Sequence, residues 1–78
     1  MQAKQLRDLF RAKLKSRRLE VGMSQTVLAK RIRAQQPYIA ALEAGDMNPT
    51  LTTIAKLGEA LGVEPSFFFA TEILSETA

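Results

Sequence analysis

The chain has 78 residues, neither cysteine nor histidine, and a net charge of +3. That length supports one small domain, and the missing residue types exclude disulfides, thiolate or imidazole metal sites and catalysis through a histidine base. No apolar run approaches the ~20 residues that span a bilayer. The polar, amphipathic stretch 1–11 is unlike a signal peptide, so the expectation is a cytoplasmic protein without membrane contact.

Leu6, Leu9, Phe10, Leu14 and Val21 recur at helical spacing and predict an amphipathic helix over 5–21. Gly22 supplies its stop, because glycine enters the left-handed region without steric cost. Ser24 is a good N-cap for a second helix whose inward side is Leu28, Ala29 and Ile32. A third helix is expected from Gln36 to Ala44, with Ile39 and Leu42 inward and Gly45 as its end. Asn48-Pro49-Thr50 reads as a turn, with Thr50 capping a fourth helix marked by Leu51, Ile54, Leu57 and Leu61 and closed by Gly62. Pro65 suits the first turn of a fifth helix, where its missing N–H costs nothing, and Ser66–Leu74 would complete it. The breaks are short and no strand pattern or repeat is evident, so the chain is predicted to be all-α.

The segment from Met23 to Glu43 carries the functional signal. It reads as two short helices joined by a tight turn, the second with small and amide side chains on its outward face, a pattern suited to a DNA major groove. The charge agrees. Through Arg33, ten cations (Lys4, Arg7, Arg11, Lys13, Lys15, Arg17, Arg18, Lys30, Arg31, Arg33) stand against Asp8 and Glu20, a balance of +8. Beyond Arg33, Lys56 stands against six acids, a balance of −5. Such polarity suits one face turned to an anionic partner, although a solvated basic helix gives the same count.

Arg18, Gly22-Met23-Ser24-Gln25, Leu28-Ala29, Ile39, Leu42-Glu43-Ala44-Gly45, Asn48-Pro49-Thr50 and Ala60-Leu61-Gly62-Val63 follow in a characteristic order and spacing. Over about residues 14–63 they resemble the phage repressor-like helix-turn-helix family (lambda Cro/repressor, XRE type). The resemblance implies a compact five-helix lambda-repressor-like domain over residues 1–78 that binds operator DNA as a dimer.

A groove-reading helix is anchored by apolar residues on one side and meets base edges from its first turn. Ile39 and Leu42 are the expected anchors, and Gln35, Gln36, Pro37, Tyr38 and Ala41 the base-facing set. Gln36 can donate to adenine N7 while accepting from its amino group, and Ala41 can pack on a thymine methyl. Tyr38 is equally suited to half-buried packing. Gln25 is the phosphate-binding glutamine implied by the resemblance, aided by the positive end of its helix. Arg33, Lys30, Arg31, Lys15 and Arg11 complete the expected phosphate contacts. Thr50 joins them or serves only as a cap. The resemblance also implies a structural ion pair between Arg18 and Glu43.

Three features depart from the family pattern. Arg33 stands where the turn usually has glycine, which demands a strained backbone or a rearranged turn. Gln35 replaces the usual Ser or Thr cap, offset in part by Pro37. Asp46-Met47-Asn48 lacks the cations common after the reading helix.

On an α-helix Phe67, Phe68 and Phe69 would point about 100° apart, so at least one is expected at the surface. Together with Ile73 and Leu74 they form the expected dimer interface, which would space two reading helices about one DNA turn apart. The alternative is a crowded core corner with one exposed ring. The expected function is a dimeric, sequence-specific regulator of transcription without cofactor, metal or small-molecule substrate. Phage repressor, restriction–modification controller and antitoxin-like autoregulator are not separable from these residues. The competing class is a protein-interaction module built on the same fold, holding a protein partner. An enzyme is disfavoured, since the carboxylates are spaced as surface residues and no glycine-rich phosphate loop is present.

Overall fold

The structure, a computed structural model, describes residues 1–71. Four α-helices follow one another, α1 (Ala3–Glu20), α2 (Gln25–Arg31), α3 (Gln36–Ala44) and α4 (Leu51–Leu61), and a 3₁₀ turn spans Pro65–Phe69. No strand occurs among the described residues. The second, third and fourth helices match their expected spans, while α1 starts two residues early. There the Gln5 side chain accepts the Gln2 N–H at 2.7 Å, which satisfies one amide at the helix start.

All four helices end in the same pair of backbone hydrogen bonds. The N–H groups of Met23, Ala34, Asp46 and Val63 each reach back five residues, to Arg18, Ala29, Ala41 and Gly58, at 2.8–3.0 Å. The residue before each reaches back three, to Leu19, Lys30, Leu42 and Glu59. This closure requires a left-handed residue at its centre. Gly22, Gly45 and Gly62 supply it at φ 76°, 81° and 70°, and Arg33 supplies it at φ 59°. The α2–α3 turn therefore keeps its geometry and strains the arginine. At the other ends, Ser24 and Thr50 accept the N–H groups of Val27 and Thr53 at 3.0 and 3.1 Å, as N-caps should.

Every element contributes to one core. Phe10 and Leu14 of α1 pack with Leu28, Ala29 and Ile32, with Ile39 and Leu42 of α3, with Ile54, Leu57 and Leu61 of α4, and with Phe68. The buried stripe of α1 runs Phe10, Leu14, Arg18. Leu6 and Val21, expected inward, are 40 % and 38 % exposed. Leu6 lies a turn beyond the core's edge, and Val21 has already left the helix.

The expected fifth α-helix is corrected: Pro65–Phe69 forms a 3₁₀ turn, and Ala70 is extended at φ −74°, ψ 138°. Three residues per turn splay successive side chains by about 120°, and all three rings still meet side chains of α1. Phe68 is fully buried beside Phe10 at a centroid separation of 5.3 Å. Phe69 stacks on Phe10 at 6.1 Å, and Lys13 Nζ lies 5.2 Å over the Phe67 ring. Phe68 belongs to the core, so it is withdrawn as an interface residue. Phe67 and Phe69 are half-buried. Ile73 and Leu74 lie outside the described residues.

Gly58 is a requirement that periodicity did not reveal. It is buried in α4, and a Cβ there would stand 2.8 Å from the backbone oxygen of Val63. The chain leaving α4 folds back closely enough to seat Phe68 only because this side chain is missing.

Candidate nucleic-acid interface

The third helix is held from one side. Ile39 and Leu42 are fully buried, and Glu43 one position on is 8 % exposed. Gln35, at the N-cap, makes no side-chain cap bond; its carbonyl accepts the Tyr38 N–H at 3.0 Å. Pro37 occupies the first turn, where its fixed φ favours the helix. Gln35 and Pro37 are exposed, and Gln36, Tyr38 and Ala41 are half-buried.

A continuous set of hydrogen bonds links this helix start to the protein interior. Gln36 Nε2 donates to Gln25 Oε1 at 2.7 Å. Gln25 Nε2 donates to Glu43 Oε1 at 3.1 Å. Glu43 receives Arg18 through two bonds, Nε at 2.6 Å and Nη2 at 2.9 Å. Arg18 Nη1 donates to the Met23 carbonyl at 2.9 Å, just before α2. Arg18 and Glu43 are both buried, and the hydrogen bond to Glu43 raises the arginine's pKa beyond its already high ordinary value. The expected ion pair is present, and it is tied to both glutamines.

Tyr38 has a structural tether. Its hydroxyl donates to Thr53 Oγ1 at 3.2 Å, and Thr50 Oγ1 reaches the same atom at 3.0 Å. The tyrosine thus joins α3 to the capped start of α4, and Thr50 is engaged as the cap.

The basic residues divide into two groups. Six of the ten N-terminal cations have partners within the fold. Lys4 and Arg11 flank Asp8 at 2.9 and 3.1 Å, and these bonds hold its carboxyl below the ordinary range. Arg7 reaches Asn48 Oδ1 at 3.4 Å, and Lys13 covers Phe67. Arg17 pairs with Glu20 and donates to the Leu61 carbonyl at 3.0 Å, closing the end of α4. Arg18 is the sixth. Lys15, Lys30, Arg31 and Arg33 are exposed, and none is part of an ion pair in the described residues. These four are all in the expected phosphate set. Arg11 of that set lies against Gly45, where a Cβ would come within 2.9 Å of its Cδ. Lys15 shares a shallow groove with Arg11, Ser16, Leu19 and Glu43, beside α3. Arg31 and Arg33 line a different cleft with Lys56 and Glu59, on the α4 side of the turn. Four of the expected phosphate contacts thus fall in two separate grooves, Arg11 with Lys15 and Arg31 with Arg33, a division that spacing along the chain did not reveal.

No helix among the described residues is long and apolar enough to cross a membrane. The helix-turn-helix family matches residues 14–68. The chain is 33 % identical over 69 residues to the uncharacterized HTH-type transcriptional regulator YqaF of Bacillus subtilis, covering 88 % of this chain and 90 % of that one. It is 39 % identical over 61 residues to the control protein C.BamHI of Bacillus amyloliquefaciens, covering 77 % and 75 %. Among solved structures, the restriction–modification controller C.AhdI of Aeromonas hydrophila superposes with a TM-score of 0.81 at 30 % identity, covering 88 % of this chain and all of that one. A hypothetical transcription factor of Neisseria, NHTF, gives 0.85 at 26 % identity over 99 % and 90 %. With helices, turn and network in place, the chain belongs to the XRE-type helix-turn-helix family of DNA-binding transcriptional regulators.

Proposed function

We propose that this chain reads a specific double-stranded DNA sequence by laying α3 in the major groove, and that two copies occupy an inverted-repeat operator. The observation that carries the reading is the pairing of Gln36 with Gln25 on a helix whose opposite side, Ile39 and Leu42, is fully buried. An amide held in place at a helix start can form the two-bond contact to adenine without first ordering its rotamers. Gln35, Pro37 and Ala41 would contribute shape and methyl contacts, and Tyr38 acts through its tether to α4. Gln25 has a second N–H for a phosphate, and Lys15, Lys30, Arg31 and Arg33 supply exposed charge. Phosphate contacts of this kind orient a protein on the duplex, while base contacts specify sequence.

The dimeric part of the proposal is supported by apolar surface around the start of α4. Leu51 is 85 % and Met47 44 % exposed. A shallow groove lined by Leu6, Phe10, Pro49, Ile54 and Phe69 lies alongside. Exposed apolar area of this sort favours association, and Phe67 and Phe69 retain edges for it. Selection of bound sequences from a random duplex pool, repeated with Gln36→Ala, tests both parts. A two-fold symmetric consensus that loses one position per half-site in the variant supports them. Binding without any preferred sequence refutes the first part; a single unpaired half-site with a monomer in sedimentation refutes the second.

A further inference from the structure

Glu43 can be traced to the base-reading atom through an unbroken line of donors and acceptors. A glutamine amide presents either its oxygen or its NH₂ to a neighbour, and an isolated one turns freely between the two. A carboxylate leaves no such choice, because it only accepts. The Glu43 side chain is 5 % exposed and clamped by Arg18, so its Oε1 is a fixed acceptor facing Gln25. Gln25 must therefore turn its NH₂ inward and its oxygen toward Gln36. That oxygen is again only an acceptor, so Gln36 turns its NH₂ to it. What Gln36 has left for a ligand is its own oxygen and a second N–H, one acceptor beside one donor. Adenine offers the complement in the major groove, an amino donor beside the N7 acceptor. Guanine offers two acceptors.

We propose that Glu43 is a positioning residue that sets base preference: through Gln25 it locks Gln36 in the amide orientation that selects adenine over guanine. The inference rests on the reading of α3 as the groove-entering helix. In Glu43→Gln, the new side chain keeps its oxygen for Arg18 and offers NH₂ to Gln25. Both glutamines then reverse, and Gln36 presents two donors. Gln25→Met cuts the line while leaving the Arg18–Glu43 pair intact.

The test is competition binding with duplexes that differ only in A·T or G·C at the base pair lost from the Gln36→Ala consensus. Wild type should favour adenine by about fivefold or more, the range of a two-bond base contact. Glu43→Gln should reverse the preference toward guanine, and Gln25→Met should bring the ratio close to one. A purely structural Glu43 would lower the melting temperature and the affinity for both duplexes equally; an unchanged adenine-to-guanine ratio in Gln25→Met, or in a folded Glu43→Gln, overturns the proposal. Amide NMR of the free wild-type protein provides a readout that needs no DNA. Gln25 and Gln36 should each show one shifted, slowly exchanging side-chain proton. Averaged, rapidly exchanging amides on both would overturn the relay itself. Absence of any base preference beside a protected Gln36 amide would instead count against α3 as the reading helix.

Discussion

Replacing Arg33 with glycine should make this protein more stable, although it deletes a whole side chain. Arg33 is the non-glycine residue with a positive φ, 59°, among the described residues, and it closes α2 by the same bonds that glycine closes in α1, α3 and α4. A left-handed conformation costs an L-residue about 1–2 kcal/mol. Glycine removes that cost but gains freedom in the unfolded chain, which takes back about 0.4–1 kcal/mol. The difference leaves a net stabilisation of about 0.5–1 kcal/mol, because the exposed arginine forms no ion pair among the described residues whose loss must be subtracted. For a domain of this size, that raises the melting temperature by about 2–8 °C. Thermal unfolding followed by circular dichroism measures it, with Arg33→Ala as the reference, since alanine loses the same charge and keeps the strain. A melting temperature for Arg33→Gly at or below that of Arg33→Ala would refute the strain argument. If Arg33 also meets a phosphate, the two variants should lose the same increment, about 0.9, from the slope of log affinity against log salt.

Two further perturbations probe the interior. Glu43→Ala strands a buried guanidinium and should cost about 3 kcal/mol or more, seen as a fall in melting temperature of more than about 10 °C. Arg18→Met combined with Glu43→Leu should recover part of that loss, and equal losses in both proteins would show that the buried charge is not the cause. Gly58→Ala should destabilise despite alanine's ~1 kcal/mol advantage in a helix, because its Cβ meets a backbone oxygen at 2.8 Å and overpacking costs about 1–3 kcal/mol; denaturant unfolding showing a gain would mean that the segment after α4 yields freely.

The four helices and their ends, apart from the start of α1, were legible in the sequence because the determinants are local. Apolar residues recur at helical spacing, Ser24 and Thr50 cap from within one turn, and glycine at Gly22, Gly45 and Gly62 answers a requirement of the residue's own backbone. The strain at Arg33 was legible for the same reason, since an arginine at a glycine position announces it. The ion pair of Arg18 and Glu43 was expected only through the family resemblance, because 25 residues separate them.

The segment after α4 was not legible. Three consecutive phenylalanines read as an α-helix with an outward ring, and only the position of Phe10 and Lys13 on α1 shows why a tighter turn serves all three. Gly58 has no local signature either, because its role is an approach between two backbone segments. The candidate functional residues divide along the same line. Composition and spacing determined that the chain carries an amide-bearing helix and a basic N-terminal half. Which cations remain open to a partner, and how Glu43 and Gln25 hold Gln36, were decided by packing, since a hydrogen bond between distant residues exists only once the core has brought them together.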